Sequence, residues 1–513
     1  MIIAPLALLC APLVIAASPP TPAPSARLPA QLRTAIARAG LVEGQLSLVA
    51  IFSDETVPFA TLRAHDALLP ASTHKLLVTS CALEHLGPTK VFTTTFRAAG
   101  RPDAAGRLGG DLAVEGGGDT LLRGEELWAA VRELKALGLQ EVRGDVLIDD
   151  GLFARPGRPN SWPRRRVSDP FDATPGSAAL AWNSIEIIVR PGAAAGAPAT
   201  VATFPLTAGA HIISELTTSE RTQIRRETLP ADESGEPRGV RLTGTIALQG
   251  SPWRSFIHLA NPAEALLAAL RELFSREGIA VRGHWRVAPA APYNTLLLRH
   301  ASRPLWQQVT AINKYSSNMG AELLARHLAR GPGDRRGISA REGVRSLEAC
   351  LAAWGLAEPG LRIADAAGLS RANRMSAATL IGILRRADRD PSWGIEFAAS
   401  LPRAGEDGSL RHRLSTFRGR LRAKTGSLQG VSSLAGYGLT KAGRRFAFAL
   451  LLNRSVPDGG PVSAGIVDRL ISALFESAED AAHSDSIPHE ITERKSVRKG
   501  GRSRTGNGSS DHR

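Results

Sequence analysis

The sequence predicts an α/β (α+β) protein: a body of mixed helices and strands whose chain is interrupted by a β-rich insertion. Three observations carry this. Apolar residues recur at helical spacing from about residue 70 to 86 and again through 302–387. Apolar runs at 45–52, 434–439 and 445–453 have the length and side chains of strands. From about residue 98 to 250, short strand-like runs and turns replace long helices. At 513 residues, 43% hydrophobic and 22% charged, the chain can bury a sizeable core in about two or three domains.

Taken in order, residues 1–17 are apolar and end in Val14-Ile15-Ala16-Ala17 before a Pro-rich stretch, Ser18 to Ser25. This reads as a secretory signal, removed from an exported, periplasmic mature chain. Leu9 is bulkier than the residue lipoprotein processing takes before a cysteine such as Cys10, so lipidation is not expected. No other stretch approaches the ~18 to 20 continuous apolar residues that span a bilayer. Leu32 to Ala39 predicts a helix and Gln45 to Phe52 a strand. Pro70 opens a helix that carries Ser72, Lys75, Val78, Cys81, Ala82, Leu83 and Leu86. Asp111 to Glu115 and Gly144 to Asp150 read as strands, and Glu125 to Leu137 as a helix. Gly116-Gly117-Gly118 marks a tight turn, because no Gly-Lys-Ser or Gly-Lys-Thr follows to make a phosphate loop.

Residues 154–176, rich in Pro and Arg, predict loop. Ser184 to Arg190 and Val240 to Leu248 are β-like, with loose Ala, Gly and Pro segments between them. Glu264 to Glu277 is an amphipathic helix ended by Gly278. Helices follow over 302–330, broken around Asn313 to Ser317, then over Ala340 to Trp354 and Ala377 to Ala387. Leu434 to Leu439 and Arg445 to Asn453 pair across Lys441-Ala442-Gly443, and Ile466 to Phe475 closes the fold as a helix. The tail from Arg494 to Arg513 carries seven Lys or Arg and one Asp with hardly an apolar residue, a composition that predicts disorder.

The formal net charge is +15 and the sequence pI about 10.6. The tail leaves two readings open: peripheral contact with an anionic membrane or wall polymer, and plain solubilisation. No nucleic-acid partner is expected. Cys10 leaves with the signal. Cys81 and Cys350 fall in apolar helical patterns and read as small buried residues, with a disulfide between them open to an exported chain.

The chemistry begins at Ser72 and Lys75. At i and i+3 of a helix both side chains lie on one face, so an uncharged Lys75 amine can take the proton of the Ser72 hydroxyl. Close packing and the neighbouring Lys424 cation are the features expected to keep that amine neutral. Alone, Ser-x-x-Lys is more often an N-cap followed by a solvated lysine. Two later stretches change its meaning. Ser316 and Asn318 precede an apolar helical run, and Lys424-Thr425-Gly426-Ser427 stands where a strand begins. Ser-x-x-Lys, Ser-x-Asn and Lys-Thr-Gly in this order are the three motifs of penicillin-binding proteins and serine β-lactamases. The three divide the chemistry between them. Ser72 attacks, Lys75 is the base, Ser316 relays a proton and Asn318 orients Lys75 and a substrate amide. Lys424 adds positive potential, Thr425 and Ser427 bind a terminal carboxylate, and Gly426 permits close backbone approach. Backbone N–H groups of Ser72 and Ser427 would form the oxyanion hole.

Here the chain resembles the DacB-like D-alanyl-D-alanine carboxypeptidase/endopeptidases, the class C low-molecular-mass penicillin-binding proteins of peptidase family S13. The resemblance runs from residue 28 to 476 and includes Gly109 to Asp119, Gly368-Leu369-Ser370-Arg371 and Leu401 to Leu410. It implies a penicillin-binding transpeptidase-like domain from residues 26–97 and 294–478. An inserted domain would span 98–183 and 251–293, a nested one 184–250, and a tail 479–513. It further implies action on peptidoglycan peptides, covalent inhibition by β-lactams, no cofactor and no metal. An aspartate from the insertion would meet a diaminopimelate amine, with Asp169 the first match and Asp172 the second. Competing readings are a β-lactamase or esterase of the same fold and a non-catalytic wall-binding protein. Against the first, no Glu-x-x-Leu-Asn block is present to position a deacylating water. Against the second, a pure binder has no need of the base. The scattered histidines lack the His-Glu-x-x-His spacing of zinc peptidases. Oligomeric state stays open, a homodimer included.

Overall fold

The computed structural model describes residues 27–484 apart from 156, 163–169, 205–210, 230–238, 260, 332, 334 and 455–461. The expected signal segment, the tail from Arg494 to Arg513 and Asp169 lie outside the described residues.

The first body is built on a five-stranded antiparallel sheet. Its strand order is Leu421–Leu428, Val431–Leu439, Arg445–Asn453, Leu46–Phe52, Ala60–Leu62. All seven residues of Leu46–Phe52 are buried, because helices cover both faces. Leu46, Leu48, Ala50 and Phe52 point to one side, where helices Ala30–Arg38 and Ala464–Ser484 bring Leu32, Ile36, Leu470 and Phe475. Val49 and Ile51 point to the other and meet Leu76, Leu380 and Leu384 from helices Lys75–Leu86 and Ala377–Arg389. The period of two along the strand thus divides the body into two cores.

A second five-stranded sheet runs in the order Trp285–Val287, Val146–Asp149, Leu112–Glu115, Thr93–Ala98, Thr295–Ala301. Helices Gly124–Ala136 and Pro262–Glu277 cover it, setting Leu127, Val131, Leu266 and Phe274 against Phe96, Val114 and Ile148. Asn261 caps the second of these helices, its side chain accepting from the amides of Ala263 and Glu264, and Gly278 ends it in the left-handed conformation. Beyond lie two three-stranded sheets that enclose Ile185, Ile187, Val189, Leu216, Val240, Leu242 and Ile257. Two of the strands here, His211–Ser219 and Gln223–Thr228, fall where the sequence suggests loose connections. The closing helix also runs further than expected, to Ser484, since Ala478 continues its buried stripe. Among the described residues, no helix is long and apolar enough to cross a membrane.

Cys81 and Cys350 are buried and joined as a disulfide, tying the Lys75–Leu86 helix to helix Ala340–Ala353 across 269 residues. Replacing both by alanine is expected to lower unfolding stability by about 2–4 kcal/mol, read as a lower urea midpoint.

Candidate active site

Ser72 and Lys75 are on adjoining elements rather than in one helix. Residues Ala71–His74 form a 3₁₀ turn and the α-helix begins at Lys75. The difference from the expected single helix has a local cause. The Pro70 carbonyl accepts from the Thr73 amide (3.3 Å), the Thr73 hydroxyl (2.6 Å) and the Ser433 hydroxyl (2.7 Å), which fixes a tight first turn. In a 3₁₀ turn i and i+3 eclipse, so the pairing inferred from spacing survives. Lys75 Nζ lies 2.9 Å from Ser72 Oγ.

The Lys75 side chain is fully buried and its amine also donates to Asn318 Oδ1 (2.6 Å) and the Ala367 carbonyl (2.5 Å). Burial lowers the amine from its ordinary value to about 7, against the pull of Asp365 and then Glu322, whose carboxylates raise it. Lys424 is equally buried and is held well below its ordinary value by burial and by the charge of Lys75. Burial therefore favours a neutral Lys75, whereas the expected help from a Lys424 cation is not among the causes of its shift.

Two buried carboxylates sit behind this amine. Glu322 accepts from the amides of Ala366 (2.9 Å) and Ala367 (3.2 Å). Asp365 accepts from those of Gly368 (2.7 Å), Leu369 (3.2 Å) and Ser370 (2.6 Å). Five consecutive N–H groups are thereby satisfied, and the Ala367 carbonyl is aimed at Lys75. Gly368 has φ +79°, and a Cβ there would stand 2.1 Å from the Ala71 carbonyl oxygen, so the loop packs directly on the Ser72 turn. Neither carboxylate is among the residues inferred from the motifs. Glu322 had a signal: it lies four residues after Asn318 in helix Asn318–Arg330 and shares its face.

Ser316 sits between helices Leu305–Tyr315 and Asn318–Arg330 with φ +59°, the interruption expected around residues 313–317. Just before it, Lys314 donates to both Asp407 oxygens (2.8 and 2.7 Å) and to the Leu401 carbonyl (2.8 Å). Lys424 Nζ reaches Ser316 Oγ at 2.9 Å and the Thr425 carbonyl at 2.8 Å. Thr425 donates its hydroxyl to Ser409 (2.7 Å), while Ser427 is exposed on the same strand. Asn318 donates to the Phe171 carbonyl (2.7 Å), so the segment around Phe171 touches this cluster. Asp172, the second candidate for an amine contact, is buried with its carboxylate 3.4 Å from Arg158. Among the described residues, no group of three His, Cys, Asp or Glu side chains could hold a metal ion.

The arrangement supplies a hydroxyl beside a neutral-leaning amine and a second hydroxyl beside a second amine. Gly426 lets the strand close against the turn: an added Cβ would meet Ser433 Oγ at 2.1 Å, the Pro70 oxygen at 2.7 Å and the Ser72 nitrogen at 3.0 Å. Gly426→Ala is expected to displace Ser72 and slow its acylation by about 10²-fold, measured with a chromogenic β-lactam.

The profile of the D-Ala-D-Ala carboxypeptidase 3 (S13) family matches residues 29–471. The chain belongs to this family. It is 29% identical over 430 residues to a D-alanyl-D-alanine carboxypeptidase from Actinomadura sp., covering 80% of this chain and 78% of that protein. It is 25% identical over 397 residues to D-alanyl-D-alanine carboxypeptidase DacB from Haemophilus influenzae, covering 75% and 80%. The crystal structure of penicillin binding protein 4 (dacB) from Haemophilus influenzae has the same fold. Its TM-score is 0.74 at 23% identity, over 87% of this chain and 99% of that one. As an S13 member the chain is a serine-type hydrolase of the D-Ala-D-Ala carboxypeptidase class.

Proposed function

We propose that this S13 enzyme cleaves the terminal D-Ala-D-Ala bond of peptidoglycan peptides, and D-Ala to diaminopimelate cross-links, through an acyl-Ser72 intermediate. The observation that carries the reading is the fully buried Lys75 amine 2.9 Å from the Ser72 hydroxyl. Neutral Lys75 takes the Ser72 proton as Oγ bonds to the penultimate D-Ala carbonyl carbon. The oxyanion is received by the amides of Ser72 and Ser427. Ser316, touched by Lys424, relays the proton that Lys75 has taken to the leaving nitrogen as the C–N bond breaks, so that both Lys75 and Ser316 return to their starting forms and D-Ala departs. Water then attacks the ester and returns the proton to Ser72. Asn318 holds Lys75 and a substrate amide, and Thr425 and Ser427, with the Lys424 amine beside them as a donor, take the terminal carboxylate.

A β-lactam presents its ring carbonyl to the same hydroxyl and stays on Ser72 as a covalent ester. We place the catalytic body in residues 26–97 and 294–478, an inserted domain in 98–183 and 251–293, and a nested one in 184–250. Export to the periplasm fits the leading apolar segment and the wall substrate. The test is D-Ala release from a wall pentapeptide. The wild-type chain is expected to release it and Ser72→Ala to reduce release to background, whereas undiminished release by Ser72→Ala would overturn the reading.

A further inference from the structure

A groove of about 600 Å³ opens from the Ser316–Asn318 turn and runs onto the inserted sheets. Its walls carry Trp182, Tyr315, Phe204 and Phe256. Tyr315 is 66% exposed, Phe204 58% and Phe256 52%, a concentration of aromatic surface that a soluble protein rarely shows without a ligand to cover it. The arrangement is ordered. In the sheet Trp253–His258, Ser184–Arg190, Thr200–Phe204, Phe256 stands directly opposite Glu186 and Glu186 directly opposite Phe204. The three form one cross-strand row, aromatic, carboxylate, aromatic, about 10 Å from end to end. Nearer the turn, the Trp182 and Tyr315 rings lie with centroids 5.5 Å apart. Ala181, Trp182 and Asn183 hold left-handed backbone, with φ of 49°, 57° and 49°, a conformation that costs energy at each residue. Buried Asn183 anchors it by donating to the carbonyls of Thr174 (3.2 Å) and Leu259 (2.7 Å). The chain is thus held where it presents Trp182 to the groove.

We propose that this groove binds the glycan strand of the substrate, a β-linked N-acetylhexosamine saccharide, beside the peptide that enters the Ser72 site; the inference rests on the wall-peptide reading above. Continuity decides that the occupant belongs to the substrate, since Ser316 and Asn318 line the groove and the catalytic cluster alike. Chemistry decides which part. Pyranose rings have flat C–H faces that stack on aromatic rings and edge hydroxyls that donate to a carboxylate. A second peptide arm of alanine, glutamate and diaminopimelate has methyls and carboxylates instead and no flat ring face to lie on the aromatic rings, while Glu186, held by Arg254 at 2.9 Å, is fixed in the row as an acceptor for a hydroxyl.

The experiment titrates the full-length chain with peptide-free N-acetylglucosamine tetramer, followed by intrinsic tryptophan fluorescence. Binding by the wild type and at least about tenfold weaker binding by Phe204→Ala/Phe256→Ala are expected, with Glu186→Gln weakened in the same direction. The double variant should also raise KM for a disaccharide-linked pentapeptide more than for the free pentapeptide, leaving the kcat ratio of the two substrates in place. No tetramer binding by the wild type, equal affinity in the variants, or a KM rise confined to the free peptide would overturn the proposal. Labelling of Ser72 by a fluorescent penicillin reads the catalytic site separately, so its loss with saccharide binding intact would count against the acyl-enzyme reading alone.

Discussion

Lys75→Met is expected to slow acylation of Ser72 by about 10³- to 10⁴-fold while the protein stays folded, because the variant removes the base and keeps an unbranched apolar stem in a buried site. The rate law of the unchanged enzyme carries the same signature. With the Lys75 amine lowered to about 7 and only its neutral form able to take a proton, the proposed mechanism predicts that acylation rises as pH increases through about 7 and levels above it. An amine at its ordinary value would keep the rate rising to beyond pH 10. The direction of a further shift follows from the carboxylates. Glu322, itself pushed up to about 7 by burial, raises the Lys75 amine when ionised, so Glu322→Gln removes that pull and should move the rising limb to lower pH. The glutamine retains an oxygen for the Ala366 and Ala367 amides, which separates the loss of charge from the loss of hydrogen bonds. Stopped-flow acylation by a chromogenic β-lactam across pH 5–10 measures both effects.

Asp365→Ala is the second large effect. It leaves the amides of Gly368, Leu369 and Ser370 and the Asn373 carboxamide without the carboxylate to which all four donate. A buried donor left unpaired costs about 1–3 kcal/mol, so a loss on the order of 4–5 kcal/mol in unfolding stability is expected from denaturant titration. Acylation should fall with it, since the Ala367 carbonyl that fixes Lys75 belongs to the freed loop. A variant with wild-type stability would mean that water replaces the carboxylate and that the loop is not organised by it.

What could be read in advance divides along physical lines. The body was legible because its strands are buried on both faces and so read as apolar runs, as in Leu46–Phe52 and Arg445–Asn453. The nearness of Ser72, Lys75, Ser316, Asn318 and Lys424 was legible because the three motifs that carry them stand in one order along the chain, and the break before Ser316 was visible as a lapse in helical apolar spacing. The strands His211–Ser219 and Gln223–Thr228 were not, since Thr, Ser, Glu and Arg stand on both faces and few positions are fully buried. The 3₁₀ turn at Ser72 was also hidden, because contacts of the Pro70 carbonyl with Thr73 and the distant Ser433 set it rather than local propensity alone. Glu322 shares a helix face with Asn318, but its partners, the amides of Ala366 and Ala367, reach it only on folding, and Asp365 gathers the nearby amides of Gly368, Leu369 and Ser370 in a loop that no helix or strand period marks. The Cys81–Cys350 pairing needed the two helices to meet.

The central claim is that Ser72 becomes covalently acylated. Incubating the purified protein with a fluorescent penicillin, digesting it and mapping the adduct by mass spectrometry tests this directly. The account predicts one labelled peptide with the adduct on Ser72 and no label in Ser72→Ala. An adduct on another residue, or undiminished labelling of Ser72→Ala, would contradict it.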